Sequence, residues 1–122
     1  MDRVDEAIKD LDVALAKKPN EPRYLEAKCK MLVFSHSWKD AETVCRALLR
    51  VEPSNAAGHY NLGLALVELQ QREEAMREVE RAVSLDPSNK EYRTKLENLR
   101  RRQAGNKASA PSATSPSTPK QP

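Results

Sequence analysis

The chain has 122 residues, 39% of them hydrophobic and 32% charged, with a formal net charge of +3 from 21 basic and 18 acidic side chains. That length fits one ordinary domain; two cysteines and two histidines are too few for a disulfide scaffold, a structural zinc site or a catalytic histidine cluster, and three glycines argue against a glycine-rich nucleotide loop. The longest apolar runs, Met31-Leu32-Val33-Phe34 and Leu64-Ala65-Leu66-Val67, are far too short to cross a bilayer, no secretory pattern opens the chain, and the charge balance calls for no nucleic-acid partner.

Helical spacing of apolar residues then runs along the chain. The first predicted helix, 2–17, carries Ala7, Ile8, Leu11, Ala14 and Leu15, and Lys18-Pro19-Asn20 stops it. The second, 22–35, opens on Pro22, where a missing N–H is harmless, and carries Tyr24, Leu25, Cys29, Leu32 and Val33. The third, 38–51, has Ala41, Val44, Cys45, Leu48 and Leu49, and ends at Glu52-Pro53-Ser54-Asn55. The fourth, 56–69, has Tyr60, Leu62, Gly63, Leu64, Leu66 and Val67. The fifth, 72–85, has Ala75, Met76, Val79, Ala82 and Val83, and ends at Asp86-Pro87-Ser88-Asn89. The sixth, 89–103, carries Tyr92, Leu96 and Leu99. Asn55 and Asn89 stand where they can cap the helices that follow. Residues 104–122 hold four Pro, four Ser and four Ala and no apolar side chain larger than Ala, so this segment is expected to be a disordered tail. Ser115-Pro116 and Thr118-Pro119 within it are minimal proline-directed kinase dipeptides, read first as ordinary tail composition.

The strongest pattern is periodic. Pro19, Pro53 and Pro87 are separated by 34 residues each time, and the apolar stripes repeat on the same register. The whole predicts an all-α protein built from antiparallel helix-turn-helix units.

These features resemble the tetratricopeptide repeat (TPR) family, whose unit is a 34-residue helix-turn-helix with small residues at the helix crossing and a Pro near its end. Tyr60-Asn61-Leu62-Gly63-Leu64-Ala65 is similar to the first-helix motif, and Ala75, Ala82 and Pro87 match the second helix. Gly63 and Ala75 would let two backbones approach closely. Cys29 and Ala41 take the small positions of the preceding unit, and Trp38 its aromatic position. The resemblance implies an α-solenoid over 1–103: a half repeat 1–20 without its first helix, repeats 22–55 and 56–89, and a closing helix 89–103. A narrower resemblance, to the middle TPR segment of J-domain co-chaperones, rests on Tyr24-Leu25-Glu26-Ala27-Lys28-Cys29 and on Arg102-Gln103-Ala104-Gly105-Asn106-Lys107-Ala108. There Arg102 and Asn106 stand at the Lys and Asn of a Lys-x-x-Gly-Asn motif. The J-domain's own His-Pro-Asp is absent.

The resemblance implies a non-catalytic adaptor that holds a peptide or helix of a partner protein in a concave groove. The expected lining is Arg23, Glu26, Lys30, Phe34, Tyr60, Asn61, Leu64, Val67, Lys95, Asn98 and Arg102. TPR domains that grip acidic chaperone tails use Lys, Asn and Arg as a carboxylate clamp. On that register this chain has Glu26 and Lys30, then Asn61, then Glu91 and Lys95, so only Asn61 matches and two glutamates would repel an acidic tail. High-affinity binding of that class is not expected. Heat-shock chaperones nevertheless remain the alternative partners, and self-association through the uncovered face of helix 2–17 is a second alternative.

No nucleophile, base and acid come together to support an enzyme. No cofactor, metal, small-molecule substrate or membrane is expected. Cys29 and Cys45 are read as reduced core residues, consistent with a cytoplasmic or nuclear location. His36 and His59 are assigned to turn and helix-start positions without catalytic partners. Arg100-Arg101-Arg102 is read as positive charge opposing the negative end of a helix dipole.

Overall fold

Backbone turn chemistry sets the layout before any packing is considered. The computed structural model describes residues 2–109 and contains six helices: α1 Asp2–Lys17, α2 Pro22–Phe34, α3 Trp38–Val51, α4 Ala56–Glu68, α5 Arg72–Leu85 and α6 Lys90–Ser109. Each of the three Pro-centred turns is closed by the same hydrogen bond: Glu21 N–H to Lys18 O at 3.2 Å, Asn55 N–H to Glu52 O at 3.1 Å, and Asn89 N–H to Asp86 O at 3.1 Å. Pro favours the second position of such turns because its fixed φ is already correct there. Asn55 Oδ1 then accepts from Gly58 N–H at 2.8 Å, and Asn89 Oδ1 from Tyr92 N–H at 3.1 Å, so both expected caps form.

The turns inside each unit repeat as well. His36 and Gln70 lie 34 positions apart and both take positive φ, 63° and 66°. Around them Ser37 N–H reaches Leu32 O and Gln71 N–H reaches Leu66 O, each at 2.9 Å. This is a Schellman ending, whose left-handed position usually belongs to glycine.

Helices α2, α4 and α6 form one layer and α1, α3 and α5 the other. Three buried clusters run along the stack. Leu32, Ala41 and Ala65 pack with Ile8, Val33 and Trp38. Cys29, Cys45, Leu62, Leu66 and Ala75 form the middle cluster. Tyr60, Val79, Ala82, Tyr92, Leu96 and Leu99 form the last, at the α4–α5–α6 end. The small-residue expectation is met at α4–α5: a Cβ on Gly63 would stand 2.7 Å from Val79 Cγ2 and 3.2 Å from Ala75 O.

Two expectations need correction. Cys29 and Cys45 are not free thiols; they form a disulfide between α2 and α3, with Cα atoms 5.1 Å apart. The reason is the repeat itself. Cys29 and Cys45 precede Gly63 and Val79 by one 34-residue period, so they occupy the place where the unit's two helices come closest. Helix α6 also runs to Ser109, six residues past the expected limit of 103. Propagating a helix needs no new nucleus, and the first proline after Asn89 is Pro111. The Arg102–Ala108 motif therefore sits within α6, and residues 110–122, with both kinase dipeptides, lie outside the described residues. Among the described residues, no helix is long and apolar enough to cross a membrane.

Two stability measurements check these points. Gly63→Ala should lower stability by about 1–3 kcal/mol in urea unfolding, because the added methyl overlaps Val79 and backbone that cannot yield. Gln70→Gly should raise stability by up to about 1 kcal/mol by relieving the left-handed backbone, less the added freedom of the unfolded chain.

Candidate partner-binding face

The α2/α4/α6 layer carries the residues expected to line the groove, and the structure sorts them into three groups. On α6, Lys95 and Asn98 border a shallow cavity of about 430 Å³ together with Tyr60, Lys90, Glu91 and Thr94. Arg102 continues the same stripe one turn on, beside Lys95, Asn98 and Arg101. Helical spacing places 91, 95, 98 and 102 on one face. Lys95 and Arg102 make no ion pair among the described residues, whereas Asn98 Oδ1 accepts from Arg101 at 3.4 Å.

On α2 the picture is mixed. Arg23 is committed to Glu21 at 3.1 Å, and Glu26 accepts from Asn55 Nδ2 at 3.0 Å. Lys30 is exposed and unpaired among the described residues, and Phe34, one turn beyond it, is 71% exposed. An aromatic side chain left this open beside a lysine is a surface that can desolvate against a partner.

On α4 the lining expectation is corrected. Asn61 is buried, with 7% exposure, and does not reach the surface as a clamp residue would. Tyr60 is buried in the cluster beneath α6, and Leu64 and Val67, half-buried, pack against it. The three form an i, i+4, i+7 stripe, and α6 lying alongside buries Tyr60 and half-covers Leu64 and Val67. Tyr60 alone keeps an edge on the α6 cavity. Val67 lines a separate, more enclosed apolar cavity of about 210 Å³ with Met76 and Leu99, rimmed by Arg72, Glu73, Arg102 and Gln103.

Tyr60 ties α4 to α6. Its ring stacks on Tyr92 with centroids 4.4 Å apart, and its hydroxyl donates to Glu91 Oε2 at 3.3 Å. Burial, then the Glu91 carboxylate, pushes the Tyr60 phenol up to about 12. Burial, then Asp86 and Glu91, raises Tyr92 as well. Lys90 and Thr94 were not foreseen as lining residues; their signal was the one-turn spacing that puts 90, 94 and 98 on one face of the helix.

On the opposite layer, partly exposed ion pairs add to the apolar packing. Arg46 on α3 donates to Glu42 at 2.9 Å and to Glu74 of α5 at 3.0 Å. The Arg46 hydrogen bond, against the opposing effect of burial, keeps the Glu42 carboxyl below its ordinary value. His59 has Nδ1 2.7 Å from Glu78 Oε1 and Nε2 2.8 Å from the Pro53 carbonyl, so it is a staple between α4, α5 and the preceding turn. Among the described residues no group of three or more His, Cys, Asp or Glu could hold a metal ion.

A stack of 34-residue helix pairs with small residues at each crossing defines a helical-repeat protein. The chain belongs to the tetratricopeptide repeat family: that family's profile matches residues 35–99, just over half of the chain. Part of the sequence is similar to the E3 ubiquitin-protein ligase CHIP of Arabidopsis thaliana, 29% identical over 84 residues, which is 69% of this chain and 30% of that protein. The chain thus spans less than a third of that relative's length. Its fold is similar to MamA of Desulfovibrio magneticus RS-1, with a TM-score of 0.79 and 28% identity over 88% of this chain and 61% of that one. It is also similar to the first TPR of Spaghetti (RPAP3), solved with the HSP90 peptide SRMEEVD, with a TM-score of 0.79 and 24% identity over 84% of this chain and 81% of that one.

The α4–α6 tie has a pH signature. Folding raises the Tyr60 phenol above its unfolded value of about 10, so its contribution is intact below about pH 10 and is lost as pH climbs toward about 12. Stability measured from pH 9 to 12 should fall across that window, and Tyr60→Phe should flatten the fall. Absorbance at the tyrosinate band should show late-titrating phenols in the folded chain.

Proposed function

We propose that this chain is a non-catalytic adaptor, working in the cytoplasm, that holds an extended peptide segment of a partner protein on its α2/α4/α6 face. The observation that supports it is the α6 stripe, where Lys95 and Arg102, unpaired among the described residues, flank Asn98 beside a cavity walled by the Tyr60 ring. A firm helix places these groups, so little ordering opposes binding, while exposed Lys30 and Phe34 offer a second anchor on α2. The test is to pan a random displayed peptide library against the full chain. Selected peptides should lose at least tenfold affinity on Lys95→Glu with Asn98→Ala, both on the surface edge of the fold. Peptides that bind this variant as well as the parent would overturn the face assigned here.

Heat-shock chaperone tails are the alternative partner, favoured by the fold likeness to a TPR bound to an HSP90 peptide and by the α6 cations. Against them stand buried Asn61 and the two glutamates, Glu26 and Glu91, on the same layer. Calorimetric titration with SRMEEVD is therefore expected to show no saturable binding at physiological salt. A saturable complex abolished by Lys95→Glu would favour the chaperone reading. Self-association through α1 is the remaining reading, favoured by Val13, 61% exposed, on a helix with no fully buried side chain among its described residues. A sedimentation mass that rises with concentration, and ceases to rise in Val13→Glu, would support it.

A further inference from the structure

We propose that the Cys29–Cys45 disulfide is a reversible redox latch that sets how firmly α2, and with it the α2 side of the partner-binding face, is held to the rest of the solenoid. The register carries the first part of the case. In the second unit the corresponding pair is Gly63 and Val79, and there close meshing joins the helices: a Cβ on Gly63 would come within 2.7 Å of Val79 Cγ2. In the first unit the same position is joined by a covalent bond. One unit therefore keeps its crossing under all redox conditions, and the other has a crossing that chemistry can open.

Burial carries the second part. The buried residues of α2 are Leu25, Cys29 and Leu32, of which only Cys29 is fully buried, against seven buried residues on α4. One of the three is a bonded cysteine. Beyond these, α2 is tied by half-buried Val33 and by two partly exposed polar links, Glu26 with Asn55 and Lys28 with Asp12 of α1. Helix α1 has no fully buried side chain among its described residues and packs through Ile8 onto the Leu32 cluster. Releasing the bond therefore loosens the α1–α2–α3 end and, with it, one side of the cluster at Leu62, Leu66 and Ala75, while α4–α6 keeps the Tyr60–Val79–Tyr92–Leu96 cluster as its own core. Two free thiols at this crossing would also need more room than the bonded pair, in a site with no exposure, enclosed by Leu62, Leu66 and Ala75.

The chemistry requires a dithiol reductant, of the thioredoxin class in a cell or dithiothreitol in the tube. Its thiolate attacks one cysteine sulfur, the Cys29–Cys45 bond breaks, and the other cysteine leaves as a thiolate that takes up a proton. The reductant's second thiol then attacks the mixed disulfide and releases the first cysteine. The protein gains two electrons and two protons, and the reductant becomes a disulfide. Because both sulfurs are fully buried, attack must wait for the crossing to open. A partner that binds better when α2 is held down shifts the redox equilibrium toward the disulfide, and by the reciprocity of linkage the oxidised chain binds that partner more tightly. This last step rests on the adaptor reading; the latch itself does not.

The test uses hydrogen exchange on the full chain, with and without dithiothreitol, after alkylation in denaturant has counted thiols in each state. Expected are no alkylated cysteines in the oxidised chain and two in the reduced one. Amides of α1–α3 should exchange at least tenfold faster on reduction, those of α4–α6 should be unchanged, and the melting temperature should fall on the order of 10 °C. Cys29→Gly with Cys45→Val, which copies the second unit's pair, should be folded and blind to dithiothreitol. Equal exchange in both redox states, uniform acceleration across all six helices, or a dithiothreitol response that persists in the double variant would each overturn the latch. For library peptides that lose affinity on Lys30→Glu, the reduced chain should bind several-fold more weakly. If no peptide binds either state, the adaptor reading fails and the exchange data alone decide the latch.

Discussion

Close approach of two helices at one point in every 34 residues is the constraint from which the rest of this molecule follows. At α4–α5 a glycine admits the Val79 side chain so tightly that a single methyl would collide. At α2–α3 the same approach brings two cysteines within bonding reach. Once each pair is locked at its crossing, the outward stripes of one pair meet the next, and the three clusters form in sequence along the stack. The Pro-centred turns and Asn caps set where helices stop and start, but they cannot by themselves decide how near two helices lie. Side-chain size at the crossing does that.

The two layers carry different polar contacts. On the α1/α3/α5 side Arg46 joins α3 to α5, and His59 of α4 reaches Glu78 of α5. The α6 stripe on the other side leaves Lys95 and Arg102 without ion pairs among the described residues. Charge-assisted bonds are strong when the ion has no competing partner, so available cations count for more than total cations. The chain's net charge of +3 says little about this; the distribution of pairing says more.

Burial is graded along the stack. The α4–α5 unit and α6 share an apolar cluster with a stacked tyrosine pair, whereas α1 contributes no fully buried side chain among its described residues. A repeat protein transmits such differences only to neighbours, so the end with the thinner core can respond to a covalent change without dissolving the other. That is why a bond at the first crossing has a different meaning from meshing at the second.

Much of the fold was legible in the residues because the deciding forces are local. Pro19, Pro53 and Pro87 mark turns, Asn55 and Asn89 mark helix starts, and apolar spacing marks the buried stripes, all within a few residues of where they act. The close approach at Gly63 followed from the absence of a side chain. Other features depended on which faces meet in space. Spacing placed Tyr60, Leu64 and Val67 on one stripe but could not say whether that stripe faces a partner or α6; packing put it beneath α6, and Asn61 was buried with it. The continuation of α6 to Ser109 reflects propagation from an existing helix, which weak local propensity does not stop. Cys29 and Cys45 looked like two small core residues sixteen positions apart. Sequence alone determined that they stand at a repeat's crossing, since the period places them there. Only the tertiary structure decided that they are joined, because bonding depends on the distance and direction between two helices, which no separation along the chain encodes.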